Sequence, residues 1–264
     1  MKRTVVLAAV TALVALSSGG AAAQGSGHRE TRVPHIIRTG DRMVLLGGET
    51  KTDFVPCPAG YVPTGGGGHS PTGTLDLNAS WSISDSWWVT VTNPTPTTQE
   101  YVPNVICAQV GYQRAWGENR NLRPGEAWLS EAVCPAGMQV SGGGMASGPG
   151  IVMNSSGSAR TSWRAGGINH DSEERTFTVQ ALCSTVPHSH ILGDPRTLAP
   201  GETSSTTARC PAGQVPTGGG GFTTGGNTHL NTSRPFNTSY WLVTATNHTG
   251  IPQTLTPTVT CVTP

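Results

Sequence analysis

Three stretches of the chain could hold a phosphate: "CPAGYVPTGGGGH" from Cys57, "CPAGMQVSGGGM" from Cys134 and "CPAGQVPTGGGGF" from Cys210. In each, a glycine run begins eight residues after the cysteine, at Gly65, Gly142 and Gly218. Glycine-rich loops cradle phosphates with backbone N–H groups, but a P-loop also needs a lysine directly after the glycines to reach the phosphates. No lysine follows any of these runs, and Lys51 is the sole lysine beyond the N-terminal segment. The runs are therefore expected to be structural, marking a strand that bends or closely approaches a neighbour. No nucleotide and no other cofactor is expected.

Other catalytic chemistry has few candidates. Glu49, Glu126 and Glu202 recur once per glycine run and read as turn or strand-entry residues. Asp76, Asp85, Asp171, Glu173 and Glu174 show no organising motif for a glycosidase pair, and no Gly-x-Ser-x-Gly elbow marks a serine nucleophile. The histidines form no convincing recurrence across the units. His188 and His190, with Asp194 nearby, have metal-ligand character but read as polar residues of an exposed turn, so no metal site is expected.

The aromatic residues are more informative. Trp87, Trp163 and Trp241 recur at one position, whereas Trp81, Trp88, Tyr112, Trp116 and Trp128 do not. These five are the expected binding residues, since exposed aromatic faces stack on sugar rings and anchor protein interfaces. Trp88 alternates out of phase with Trp87, on the face shared with Thr90 and Thr92.

These residues are carried on a chain built for export. Lys2 and Arg3, the apolar stretch Thr4 to Leu16 and Ala21-Ala22-Ala23 form a secretory signal peptide, too short and wrongly flanked for a membrane span. Of 16 basic residues, two leave with that peptide, and 15 acidic residues face the rest. A near-neutral chain without a basic run argues against nucleic acid and anionic membranes as partners. Six cysteines remain, Cys57, Cys107, Cys134, Cys183, Cys210 and Cys261, with no Cys-x-x-Cys pair. An even count in an exported chain points to disulfides rather than zinc.

Aligning the cysteines gives a period of 76 to 78 residues. Each unit carries Gly-Asp/Glu-x3-Leu-x2-Gly-Glu-x7-Cys-Pro-Ala-Gly, starting at Gly40, Gly117 and Gly193. A tryptophan follows (87, 163, 241), then an asparagine six residues later (Asn93, Asn169, Asn247), then the second cysteine after fourteen more. The simplest pairing is Cys57–Cys107, Cys134–Cys183 and Cys210–Cys261. Within a unit the period is two, as in Tyr101, Pro103, Val105 and Cys107, and no segment has a helical period. The fold class is all-β, with three disulfide-stapled, sandwich-like antiparallel units. A signal peptide (1–23), a leader (24–32) and units at 33–109, 110–185 and 186–264 divide the chain. Two arrangements fit: three tandem sandwiches on a string, which the self-contained cysteine pairs favour, or one compact pseudo-threefold assembly. Unit two is the degraded copy, since "WRAGGIN" puts Ala165 and Gly167 at inward positions.

The pattern resembles secreted repeat proteins of high-GC Gram-positive bacteria that carry Cys-Pro-Ala-Gly, a glycine run, a tryptophan strand and a closing cysteine. The resemblance spans nearly the whole exported chain and implies no functional residue. The expected function is a secreted, non-enzymatic binding or adhesion protein whose partner is an extracellular glycan or a cell-surface protein. Two others stand behind it: an extracellular hydrolase sited in the diverged "GSARTSWRAGGINHDSEER" of unit two, and a secreted protein inhibitor.

Overall fold

Alternating apolar and polar residues form strands throughout residues 34–264, the part that the computed structural model describes; the expected signal peptide, the leader and Val33 lie outside it. Repeat 1 supplies β1 (His35–Thr39), β2 (Met43–Leu45), β3 (Thr50–Pro56), β4 (Val62–His69), β5 (Asp76–Ile83), β6 (Ser86–Thr92) and β7 (Gln99–Ala108). Repeat 2 supplies β8 (Gln113–Trp116), β9 (Arg120–Leu122), β10 (Ala127–Val133), β11 (Gln139–Ser147), β12 (Ile151–Ser158), β13 (Ser162–Asn169) and β14 (Arg175–Ser184). Repeat 3 supplies β15 (Ser189–Leu192), β16 (Arg196–Leu198), β17 (Thr203–Arg209), β18 (Val215–Thr223), β19 (Thr228–Pro235), β20 (Tyr240–Asn247) and β21 (Gln253–Val262). No helix occurs among the described residues, as the period of two requires.

The strands form three seven-stranded antiparallel sheets, and every sheet is shared by two repeats. Sheet I runs β1-β7-β4-β19-β20-β17, with β2 also on β7, and joins repeats 1 and 3. Sheet II runs β3-β6-β5-β11-β14-β8, with β9 on β14, and joins repeats 1 and 2. Sheet III runs β10-β13-β12-β18-β21-β15, with β16 on β21, and joins repeats 2 and 3. All-β class and three disulfide-stapled repeats are as the sequence implies. Of the two arrangements, the topology is the compact pseudo-threefold one, since three strands of each repeat complete a sheet begun by another. A string of self-sufficient beads would leave those edges unpaired, and unpaired edges are costly.

The disulfides are Cys57–Cys107, Cys134–Cys183 and Cys210–Cys261, with Cα–Cα distances of 5.7, 5.6 and 5.8 Å. Each lies within one repeat yet ties two different sheets together, for example the end of β3 in sheet II to β7 in sheet I. Closing loops of 49 to 51 residues constrains the unfolded chain, a contribution of about 4 kcal/mol each in the chain-entropy model. Such bonds persist in an oxidising compartment.

Three successive glycines in each run have three different neighbours. The first glycines meet at the pseudo-threefold axis: a Cβ on Gly218 would fall 2.8 Å from the Gly142 Cα, and one on Gly65 2.7 Å from the Gly218 Cα. The second glycine lies under the repeated tryptophan, so that a Cβ on Gly66, Gly143 or Gly219 would fall 2.5 Å from Trp87, Trp163 or Trp241. The third abuts the backbone of the next repeat, at Ser233, Ser80 and Ser156 respectively. The tryptophans are fully buried, and their indole N–H groups donate to Ser80, Ser156 and Ser233 Oγ at 2.9 to 3.0 Å. In the degraded repeat 2, Met145, Met153 and Phe177 join the core beside Ala165.

The remaining recurrent residues are structural too. In the Cys-Pro-Ala-Gly turn the proline carbonyl accepts the N–H three residues on, and Gly60, Gly137 and Gly213 adopt φ of 79 to 81°. That is the third position of a type II turn, where a Cβ is disfavoured. The carboxylates of Glu49, Glu126 and Glu202 accept the N–H of Leu46, Arg123 and Ala199 at 2.8 to 3.0 Å. That hydrogen bond is the chief reason Glu49 and Glu202 sit below the ordinary carboxylate value. Asn93, Asn169 and Asn247 donate to carbonyls of Leu45, Leu122 and Leu198 and to those of Thr97, Glu173 and Ile251, which pins the following loop to the earlier strand.

A substitution tests the axis directly. A Cβ on Gly142 would overlap the Thr64 carbonyl oxygen, which is backbone and cannot rotate away. Gly142→Ala should lose about 3 kcal/mol or more of stability in chemical denaturation, the upper end for overpacking. Gly148→Ala, with nothing within 4 Å, should stay near the wild-type value.

Candidate functional site

Four of the five non-repeated aromatics, Trp81, Trp88, Tyr112 and Trp116, fall on or beside sheet II, the sheet that repeats 1 and 2 share. Phe54 of β3 pairs with Trp88 of β6, and Trp88 pairs with Trp81 of β5. Next comes Gly144 of β11, whose neighbour Met145 pairs with Ser80; Gly144 pairs with Gln180 of β14, and Gln180 with Trp116 of β8. Residues directly opposite one another share a face of the sheet, so Phe54, Trp88, Trp81 and Trp116 form one row across it. The glycine and the buried Gln180 leave a gap in the row. Gln180 is drawn down by a bidentate amide contact to the backbone N–H and carbonyl of Ser82, both at 2.9 Å.

Phe54 and Trp88 stack with ring centroids 4.7 Å apart, and Trp81 tilts against Trp88 at 6.3 Å. Phe54 and Trp116 are 45% and 50% exposed. Trp88 is on the outward face, as its phase implies, but it is half-buried between Phe54 and Trp81 rather than free in solvent. Tyr112 and Arg114 fill the lip between β8 and the β5–β6 turn. The Arg114 guanidinium donates to Ser82 Oγ at 3.1 Å, to the Tyr112 hydroxyl at 2.6 Å and to the Ser84 carbonyl. Trp128 stands apart on β10 of sheet III. It faces Trp116 across a groove of about 630 Å³ that Arg120, Arg164, Glu118 and Glu131 also line. The Arg120 guanidinium lies 5.4 Å from the Trp128 ring centroid, and Arg164 Nε donates to Glu131 at 3.2 Å.

The row occurs once. Its counterparts are Glu131, Arg164, Gly157, Gly220, Thr258 and Leu192 on sheet III. On sheet I they are Thr207, Leu242, Arg234, Gly67, Asn104 and Thr39. The fold therefore does not need aromatics here. Phe54 was missed from the sequence, although it meets the same test of being aromatic at a position where the other repeats carry Glu131 and Thr207. Arg114, Arg120 and Arg164 had no signal, because their contacts cross between strands of different order.

Other candidates resolve as follows. His188 and His190 are not on an exposed turn: His190 lies in β15, and both rings are half-buried. Their ring Nδ1 atoms contact the Val186 carbonyl at 2.6 Å and Ser158 Oγ at 3.2 Å. In the diverged stretch of repeat 2, Asp171 is engaged by Arg175 through Nε at 2.7 Å, which holds its carboxyl below the usual range. Among the described residues, metal-ligating side chains converge at Asp76, His229 and His248, beside a cavity that shares no lining residue with the Trp116–Trp128 groove. No helix of the described residues is long and apolar enough to cross a membrane. No protein-family model matches the chain, and no curated protein is significantly similar to it in sequence.

Two measurements follow from these environments. Trp87→Ala removes a fully buried side chain and should cost about 3–5 kcal/mol, whereas Trp116→Ala should stay within about 0.5 kcal/mol of wild type. Trp88→Ala should fall between them, because it loses the stack with Phe54 and Trp81. Burial, first among the causes, lowers both His188 and His190 from 6.5 to about 4. In the unfolded chain both titrate near 6.5, so between about 4 and 6.5 the unfolded state binds more protons and folding loses stability as pH falls. Thermal midpoints should therefore drop from about pH 6.5 downwards, and a His188→Gln/His190→Gln variant should show a shallower drop.

Proposed function

We propose that this is a secreted, non-enzymatic protein that binds an extracellular glycan through the outer face of sheet II. The observation that carries the reading is the single aromatic row of Phe54, Trp88, Trp81 and Trp116, present on one sheet of three. Aromatic faces complement the C–H faces of sugar rings, and the flanking guanidinium and carboxylate groups suit the hydroxyls at their edges. Trp116 lies three strand positions beyond Trp81, about 14 Å at the usual interstrand spacing. A row of that length suits an extended oligosaccharide chain rather than one sugar. Secretion is supported by the signal-peptide pattern of residues 1–23 and by three disulfides.

A glycan array and pull-downs on insoluble polysaccharides and bacterial cell wall test the proposal. Trp116→Ala and Trp81→Ala should each lower retention by about tenfold, the loss of one stacking contact of order 1–1.5 kcal/mol. Loss of retention in the exposed Trp116→Ala with unchanged melting temperature supports the glycan site. Retention that survives both substitutions, or no retention on any carbohydrate, would sink it in favour of a protein partner.

A further inference from the structure

Besides the glycine contact, three strands converge at a second place on the molecule. Asp76 of β5, Val152 of β12 and His229 of β19 occupy one repeat position, each opposite the residue that precedes the recurrent asparagine. The strands are tied to one another there: Asn78 donates to the Ile151 carbonyl at 2.7 Å and Asn231 to the Leu75 carbonyl at 2.9 Å. The position after that asparagine carries Pro94, His170 and His248, so two histidines are repeat copies of each other. Asp76, His170, His229 and His248 all line one cavity of about 500 Å³, together with Asp171, whose carboxylate is taken up by Arg175.

Their atoms are arranged for a cation. His229 Nδ1 is 2.9 Å from Asp76 Oδ1, both side chains being less than 10% exposed. A carboxylate on Nδ1 fixes the proton there and turns the Nε2 lone pair outward, the usual support for a metal-bound imidazole. That Nε2 lies 3.0 Å from His170 Nε2 and 2.8 Å from Asn227 Oδ1. Three lone-pair atoms thus crowd one point, and a single proton can serve only one of the contacts. The His248 ring sits 4.3 Å from the His229 ring, and ligand atoms of Asp76, His229 and His248 lie within 4.8 Å of one another. Two nitrogens on a tetrahedral zinc are about 3.3 Å apart at ordinary Zn–N lengths, close to the His170–His229 separation. Packing does not require these residues, because Val152 fills the third copy, and a buried Asp–His pair is not a source of stability by itself.

We propose that this cluster binds a divalent transition-metal ion of the zinc class, ligated by the imidazoles of His170, His229 and His248, with Asp76 orienting His229. The fourth position opens onto the cavity. This site is independent of the aromatic row, and its test does not involve a glycan. Tag-free protein, stripped with a chelator, is titrated with Zn²⁺ by calorimetry and with Co²⁺ by visible absorption. One saturable site is expected, with the intense Co²⁺ bands of a four-coordinate nitrogen site. His170 and His248 are exposed enough to be replaced without unfolding the chain; His170→Ala and His248→Ala should each weaken Zn²⁺ binding at least about tenfold at unchanged circular dichroism. Asp76→Asn should weaken it by about 10–100-fold, the usual range for an orienting carboxylate. Absence of saturable binding, or binding that both histidine variants retain at full strength, overturns the assignment and leaves a buried Asp76–His229 hydrogen bond alone.

Discussion

The structure depends on the contact of three backbones at the pseudo-threefold axis. Gly65, Gly142 and Gly218 approach one another so closely that even a methyl group on any of them would overlap a neighbouring main chain. That approach lets each sheet pass from one repeat into the next without an edge at the centre. The adjoining glycines serve the same end, one receiving the indole of the repeat's own tryptophan and one abutting a strand of the neighbouring repeat. A glycine run that looks like a phosphate loop is thus the record of three separate steric demands in three consecutive residues.

Once the centre is closed, the disulfides take on a second role. Each joins two cysteines of one repeat, yet those cysteines lie in or beside different sheets, so the three bonds tie the sheets around the ring. Chain entropy and sheet closure then act together: a bond that limits the unfolded repeat also holds the next repeat's sheet in place. The tryptophan between the two halves of each repeat supplies the largest buried side chain, and a serine on the neighbouring strand satisfies its N–H. Loss of any one of these elements would be felt beyond its own repeat.

A scaffold with three near-identical positions for every residue offers a physical criterion for function. Where all three copies agree, as with the turn glutamates and the loop asparagines, the residue maintains the fold. Where the copies differ and one or two carry costlier chemistry, the fold gives no reason for it. The aromatic row satisfies this on the outer face of sheet II, and the Asp76, His170, His229 and His248 cluster satisfies it where β5, β12 and β19 meet. At both places a neighbouring repeat carries a plain structural substitute: Thr207 for Phe54, Val152 for Asp76 and His229.

The sequence alone determined whatever is local to a strand or a repeat. Alternation identified the strands and the buried tryptophans, and recurrence of two cysteines per period paired the disulfides, because both signals are carried by neighbours along one chain segment. The out-of-phase Trp88 and the unrepeated Trp81, Tyr112, Trp116 and Trp128 were also legible in this way. The recurrence of His170 and His248 directly after the loop asparagine was present in the sequence too, but the irregular spacing of the other histidines obscured it. Tertiary structure alone decided which repeat completes which sheet, since backbone hydrogen bonding between repeats leaves no side-chain pattern to read. It aligned Phe54, Trp88 and Trp81 with Trp116 through interstrand register, separated Trp128 onto another sheet, and brought Asp76 to His229 across a separation of 153 residues. Periodicity reports which way a side chain points from its own strand; only closure of the ring sets what it points at.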